Sequence, residues 1–312
     1  MTYSTGGLIQ ASDYNGFVSS TNTPWNTYYG QTAIPTVSAG NIIGASAWAT
    51  LNNTVANIAS HQGTSITSRT SPSAGQRIAT LSNLGTDITS IGTNKYNAAS
   101  QGSQYTAWTG TSSKTTATGS GTAPWTITFT HTITWASNSA WTYFWGAGGL
   151  VKVQFSKTST GTAQDTAWNN FVNSLLGTIY LSSTGPSKTI VGVSYDGTTK
   201  IGGSGIPTTL TNGTGAYELT GTPTTIFKQF DTGISYTSNY VEITATYSAP
   251  SITLVTTWYD NGDPAGADIS GGTPTTGIAF GTAPATVVTY LPPETTYLTN
   301  TWGTPTITAS VA

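Results

Sequence analysis

The sequence predicts an α+β protein, with a small N-terminal helical region followed by an antiparallel β-sandwich or jelly-roll-like domain that carries one covering helix. Three observations lead there. Apolar residues recur at helical spacing before residue 100, strict apolar/hydroxyl alternation dominates after residue 125, and a single amphipathic run near 163–176 interrupts the strands. The domains expected are a helical docking region at 1–100, a Gly/Ser/Thr-rich connector at 101–124, and a β domain at 125–312.

In the helical region, Trp48, Leu51, Val55 and Ile58 recur at three and four residues and share one face. Ser46 is placed to cap that helix and Gly63 to end it. A second helix carries Ile78, Leu81, Leu84, Ile88 and Ile91, starting near Ser73 or Gly75, although Gly85 and Gly92 weaken it. A shorter one begins at Ser12–Asp13 and buries Tyr14, Phe17 and Val18. All are rich in Ala, Asn and Thr, so packing must hold them.

Beyond the connector, residues 125–135 alternate large apolar side chains with threonines, which predicts a strand with one buried face. His131 is assigned to the hydroxyl face. The aromatic run Trp141–Trp145, the glycines 146–149 and the alternating run Leu150–Ser156 predict a hairpin, with Val151, Val153 and Phe155 on one face and Lys152 and Gln154 on the other. Trp168, Phe171, Val172, Leu175 and Leu176 define the covering helix, ended by Gly177. Further strands are expected at 189–195, 216–219, 225–230, 240–247, 252–259, 286–290 and 304–311, with a turn at Asp196–Gly197 and a hairpin through 248–251. No fixed-period repeat is present, which argues against a solenoid or propeller.

Composition restricts function. Among 312 residues, only 6% are charged, with 9 basic and 11 acidic side chains and a net charge of −2, where ordinary domains are roughly a quarter charged. Ten Trp and 16 Tyr argue against disorder. So few scattered cations supply no phosphate-binding stripe and no attraction to anionic membranes. No run of about twenty apolar residues exists to span a bilayer, and the first residues lack the basic and apolar regions of a signal peptide. Without cysteines there is no disulfide or thiolate chemistry. Weak charge repulsion favours self-association.

The inventory for catalysis is thin, and no catalytic or cofactor-binding residue is assigned. His61 and His131 lie in different segments with no carboxylate beside them in sequence. The glycines at 202–205 do not form a nucleophile elbow, and no phosphate-binding motif is present. Asp260, Asp263 and Asp268 form the local concentration of carboxylates. They make a weak candidate for a Ca²⁺ loop, against the alternative of an Asx-type turn after a strand. Trp125, Trp135, Trp145, Trp168 and Trp258 occupy apolar positions and are assigned to the core. Trp25, Tyr28, Tyr29, Trp108 and Trp302 stand in loop-like contexts and are candidates for exposure or subunit contacts.

Several motifs resemble a family. The opening 8–15 (LIQASDYN), then 29–32 (YGQT), 37–40 (VSAG) and 48–52 (WATLN), are similar to the start of virion structural proteins of tailed phages of the cyanophage and marine-phage type. The run 143–153 (YFWGAGGLVKV), with Ala167–Trp168–Asn169 leading to Gly177–Thr178–Ile179, resembles the same proteins. The likeness extends to about residue 181 and more loosely over 240–259. It implies a non-enzymatic particle component without cofactors, made in the host cytoplasm and released by lysis, whose partners are other virion proteins. A tail, baseplate or fibre position is expected, with a homo-oligomer, taken as a trimer by analogy with fibres. The alternatives are an adhesin that binds a host receptor or surface glycan, a capsid decoration or neck protein, and a polysaccharide hydrolase with two facing carboxylates.

Overall fold

A computed structural model describes residues 9–73, 83–99, 109–114, 125–157, 163–232, 238–260 and 284–312. Helix α1 (Ala11–Asn22) starts at Gln10, whose backbone N–H donates to the Asp13 carboxylate at 3.1 Å. It buries Tyr14, Phe17 and Val18 and runs on into a wider π-turn at Thr23–Tyr28. The extended chain that follows is clamped to α1 by two side-chain amides. Asn22 accepts from the Ile34 N–H at 2.9 Å and donates to the Ile34 carbonyl at 3.0 Å, while Asn15 does the same for Val37 at 2.9 and 2.8 Å. The two asparagines lie seven residues apart, hence on one helix face.

Helix α2 (Ala45–Gln62) buries Trp48, Leu51, Val55 and Ile58, as their spacing requires, and stops at Gly63 in the left-handed conformation. Its N-cap is Gly44, and Ser46 lies inside the first turn. Helix α3 (Leu84–Thr93) buries Leu84, Ile88 and Ile91; Ile78, Leu81 and Gly75 lie outside the described residues.

The stretch expected as a connector contains a strand, β1 (Thr109–Lys114). Strand β2 (Trp125–Thr134) follows. Within it His131 shares the inward face with Ile127, Phe129 and Ile133 and is fully buried. Its odd position puts it there, which corrects the assignment to the hydroxyl face.

The aromatic run after β2 is a helix, α4 (Asn138–Gly146), and not the first arm of a hairpin. Ser137 caps it by accepting from the Ala140 N–H at 3.1 Å; Phe144 and Trp145 are sealed in the core, while Trp141, 7% exposed, packs at its edge against Tyr217 and Tyr247. A run as short as 141–145 satisfies both periods, and the Ser137 cap decides for the helix. Strand β3 (Leu150–Ser156) is as expected, with Lys152 and Gln154 on the more exposed face. Helix α5 (Ala163–Asn170) continues as a π-turn to Leu176 and brings Trp168 and Phe171 over the sheet.

Short strands come next: β4 (Thr178–Leu181), β5 (Lys188–Ile190), β6 (Val193–Tyr195), β7 (Thr198–Ile201) and β8 (Thr209–Leu210). The continuous strand expected at 189–195 is folded back into the β5–β6 hairpin, because Val191 and Gly192 take φ of 52° and 77° and a two-residue turn of that hand matches strand twist. The strand expected at 216–219 is a 3₁₀ turn (Ala216–Glu218), held by the Gly215 N–H donating to the Glu218 carboxylate at 2.7 Å. Long strands complete the chain as the alternation requires: β9 (Thr224–Phe230), β10 (Tyr240–Ser248), β11 (Ser251–Asp260), β12 (Ala285–Leu291) and β13 (Thr306–Val311).

These strands make an α+β fold built on a β-sandwich. One sheet has the order β1-β12-β3-β4-β7, the other β13-β2-β11-β10-β9-β8, and every pairing within them is antiparallel. The edges of the two sheets lie beside each other, β1 along β13 and β7 along β8. Facing edges shield open backbone groups from pairing with other chains.

Trp258 joins the layers. Its ring stacks on Trp168 of α5 at 5.8 Å, meets Phe155 of the opposite sheet edge-on at 6.3 Å, and its indole N–H donates to Thr286 Oγ1 at 3.1 Å. The helical region belongs to the same core: Tyr14, Phe17, Trp48 and Ile88 form one continuous buried cluster with Trp135, Phe144 and Trp258. The helices thus pack directly on the sandwich among the described residues. They obtain the packing that their weak propensity demands from the sandwich of their own chain. Trp258→Ala is expected to cost about 3–5 kcal/mol in denaturant-induced unfolding, because it removes contacts to both sheets and a helix together.

Candidate interaction surfaces

Carboxylates with resolved partners serve local structure. Asp87 receives Arg69 and the Thr67 N–H, Glu294 receives the Thr296 N–H at 2.7 Å, and Glu218 receives both the Gly215 N–H and the Thr184 hydroxyl. Among the described residues, no three His, Asp or Glu side chains are grouped to hold a metal ion. Asp260 is fully buried at the end of β11, while Asp263 and Asp268 lie outside the described residues.

Lys188 is buried. Its ammonium donates to Ser182 Oγ at 3.2 Å, to the Tyr195 carbonyl at 3.4 Å and to the Thr184 carbonyl, tying the β5–β6 hairpin to the segment after β4. Burial pushes its pKa down to about 8, opposed by the charges of Asp196 and Glu218. His61, at the end of α2, is fully buried against the Tyr29 ring at 5.1 Å. Neither imidazole nitrogen makes a hydrogen bond of good geometry among the described residues. Burial pushes its pKa down to about 4, with the Ala147 backbone opposing.

Two surfaces remain. The first is the outer face of the six-stranded sheet, set by register. Thr308, Thr132, Thr253 and Thr246 lie side by side across β13, β2, β11 and β10, flanked by a row of Thr306, Thr134, Ser251 and Ser248. Hydroxyls along these rows bond to one another, as Thr132 to Thr253 at 3.1 Å and Thr134 to Ser251 at 2.8 Å. Towards the other end, Lys228 pairs with Glu242 at 2.9 Å and lies 3.7 Å from the Tyr240 ring centre, and Tyr240 stacks on Tyr259 at 4.7 Å. This ion pair, the one on this face among the described residues, is self-compensating.

The second surface is an aromatic stripe where the helices meet the sandwich. Tyr28 packs edge-on to Tyr96 at 5.4 Å and to Tyr217 at 6.4 Å; Tyr217 meets Trp141 at 5.1 Å, and Trp141 meets Tyr247 at 4.6 Å. Lys95 lies over the Tyr28 and Tyr96 rings at 5.1 and 4.9 Å. The four tyrosines and Lys95 are half-buried. Burial and neighbouring groups raise the pKa of Tyr96 and Tyr217, so both phenols stay protonated at neutral pH.

Of the residues expected at contact surfaces, Tyr28 lies in this stripe. Trp25 is half-buried, its indole N–H donating to the Thr32 carbonyl at 2.9 Å. Tyr29 and Trp302 are corrections: both are buried within their own chain, 0% and 1% exposed. Their loops fold over the core, so irregular backbone did not bring exposure. Trp108 lies outside the described residues. Tyr96, Tyr217, Trp141 and Tyr247 were not singled out as site residues, because nothing local in the sequence brings positions so far apart together. Comparison with known proteins finds no matching family model, no similar curated protein and no similar solved structure.

The buried ionisable groups give a pH signature. His61 binds its proton more readily unfolded, at its ordinary pKa of 6.5, than folded. Stability is therefore complete above pH 6.5 and falls by about 3 kcal/mol as pH drops through 4. His61→Phe should flatten that acid limb in urea titrations. Lys188 acts at the other end: the unfolded chain holds its proton above pH 8 while the folded one releases it, so stability rises from pH 8 towards 10 and Lys188→Met should abolish the rise.

Proposed function

We propose that this protein is a non-enzymatic structural subunit of a tailed-phage virion, a tail, baseplate or fibre component that assembles with other virion proteins. The observation that carries the reading is the outer sheet face, tiled with threonine and serine rows and bearing one internally paired Lys228–Glu242 couple. Such a face meets another protein surface without stripping water from unpaired charges, the main penalty in forming an interface. Interface cores are depleted in charged residues for the same reason.

Two further facts support it. Carboxylates with resolved partners are committed to caps, turns and ion pairs, which favours scaffolding over acid–base chemistry. The sequence motifs at 8–15, 29–52 and 143–153 resemble virion proteins. In this role the subunit forms a symmetric homo-oligomer, taken as a trimer by analogy with fibres, and reaches the exterior when the host lyses. A capsid decoration or neck position is a variant of the same reading.

Particles purified from a lysate of cells that express this chain from its parent phage provide the test. Mass spectrometry of washed particles should detect it at a fixed copy number, and immunogold electron microscopy should place it at one site, the tail end being expected. Its absence from washed particles, with the protein recovered free in the lysate, contradicts the assignment.

A further inference from the structure

We propose that the aromatic stripe of Tyr28, Tyr96, Tyr217, Trp141 and Tyr247, with Lys95 at one end, is a saccharide-binding site. The inference deepens the particle reading by giving the subunit a ligand on the surface of the cell that the particle meets, and it rests on that reading for its biological setting.

Three features point to a sugar. First, the stripe is continuous, each ring touching the next at centroid separations between 4.6 and 6.4 Å, and its four tyrosines remain partly open to solvent. Half-exposed tyrosines combine an apolar body with a polar tip, which suits the alternating C–H faces and hydroxyls of a pyranose.

Second, Trp141 is 7% exposed and its indole N–H has no hydrogen-bond partner among the described residues. Trp48, Trp135 and Trp145 also carry unpartnered indole N–H groups, but at 0–1% exposure they are sealed in the core. Trp141 alone of these four lies between partly open rings, Tyr217 edge-on at 82° and Tyr247 tilted by 33°. A buried donor without a partner is costly, and an entering hydroxyl or acetamido oxygen would relieve that cost.

Third, the stripe is held in place from behind. The Tyr217 hydroxyl donates to the Thr142 carbonyl at 2.8 Å, and the Tyr28 carbonyl packs against Gly146 so closely that an added Cβ would come within 2.3 Å of it. A platform fixed in this way loses little freedom on binding. Lys95 adds a positive charge, while the nearby Glu218 carboxylate is already engaged by Gly215 and Thr184. The same site chemistry thus accommodates a neutral ring or one bearing an acidic group, and the charge of Lys95 separates the two sources.

The test uses the full chain, labelled and applied to an array of bacterial surface glycans that includes neutral and acidic members, followed by titration of the strongest binder using intrinsic tryptophan fluorescence. Saturable binding is expected, weakened about tenfold or more by Tyr247→Ala and by Trp141→Phe, which keeps the ring and removes the N–H. Tyr240→Ala, on the outer sheet face, should bind as the unaltered protein does, and unfolding midpoints should confirm that each variant is folded. Lys95→Ala should weaken acidic glycans and leave neutral ones unchanged. Binding to no glycan overturns the proposal, as does binding that both stripe variants retain in full. Failure of the particle experiment with stripe-dependent binding intact would overturn the assembly role and leave the site standing; the converse removes the site alone.

Discussion

The side-chain amide of Gln31 is the contact on which the arrangement of this molecule most depends. Buried between the helical layer and the C-terminal segment, it donates to the Thr299 carbonyl and accepts from the Thr299 N–H, both at 2.9 Å, and also donates to the Tyr29 carbonyl at 2.8 Å. Tyr29 extends the node. Its carbonyl receives the Thr301 hydroxyl at 2.7 Å, its own hydroxyl donates to the Lys95 carbonyl at 2.7 Å, and Gln62 of α2 donates both to that hydroxyl and to the Ile91 carbonyl of α3. One polar cluster thereby ties three helical elements to residues near the chain end. Such a cluster stabilises only when every member is satisfied, and then it specifies one arrangement.

The same device recurs, and it follows from composition. A chain that is 6% charged has few ion pairs with which to fix its loops, so it relies on amides that imitate a backbone partner. Asn15 and Asn22 hold Val37 and Ile34 to α1 as Gln31 holds Thr299. Each carries a donor and an acceptor on one planar group, which matches an extended residue's N–H and C=O. Tight backbone approaches complete the junction. Gly30 takes φ of 68° under the Tyr143 ring, where an added Cβ would come within 2.4 Å, so no larger residue fits. The aromatic stripe rests on this junction and inherits its rigidity.

Much of the fold was legible from spacing. The long strands from β9 to β13, the helix around Trp48 and the covering helix at Trp168 each repeat one period long enough to exclude the other. Short runs were not decidable that way. Trp141 to Trp145 fits both periods, and the N-cap contact from Ser137 to Ala140 settled it. Residues 189–195 read as one strand because a β-branched residue with positive φ is rare, yet Val191 takes φ of 52°, its N–H donating to the Ala98 carbonyl at 2.9 Å. The candidate surfaces were less legible. The outer sheet face follows from alternation once the register is known, but the stripe joins Tyr28, Tyr96, Tyr217 and Tyr247 through contacts that span most of the chain. Trp302 and Tyr29 show the converse, since loop-like neighbours gave no hint that a loop closes over the core.

If the Gln31–Tyr29 node makes helices and sandwich one body, they must unfold together. Equilibrium urea unfolding, followed in parallel by helical far-UV circular dichroism and by tryptophan fluorescence from the sandwich core, measures this directly. The two curves should coincide, and both should shift to lower urea together in Gln31→Leu. Loss of the helical signal in a separate, earlier transition, with the fluorescence transition unmoved by Gln31→Leu, would contradict the account.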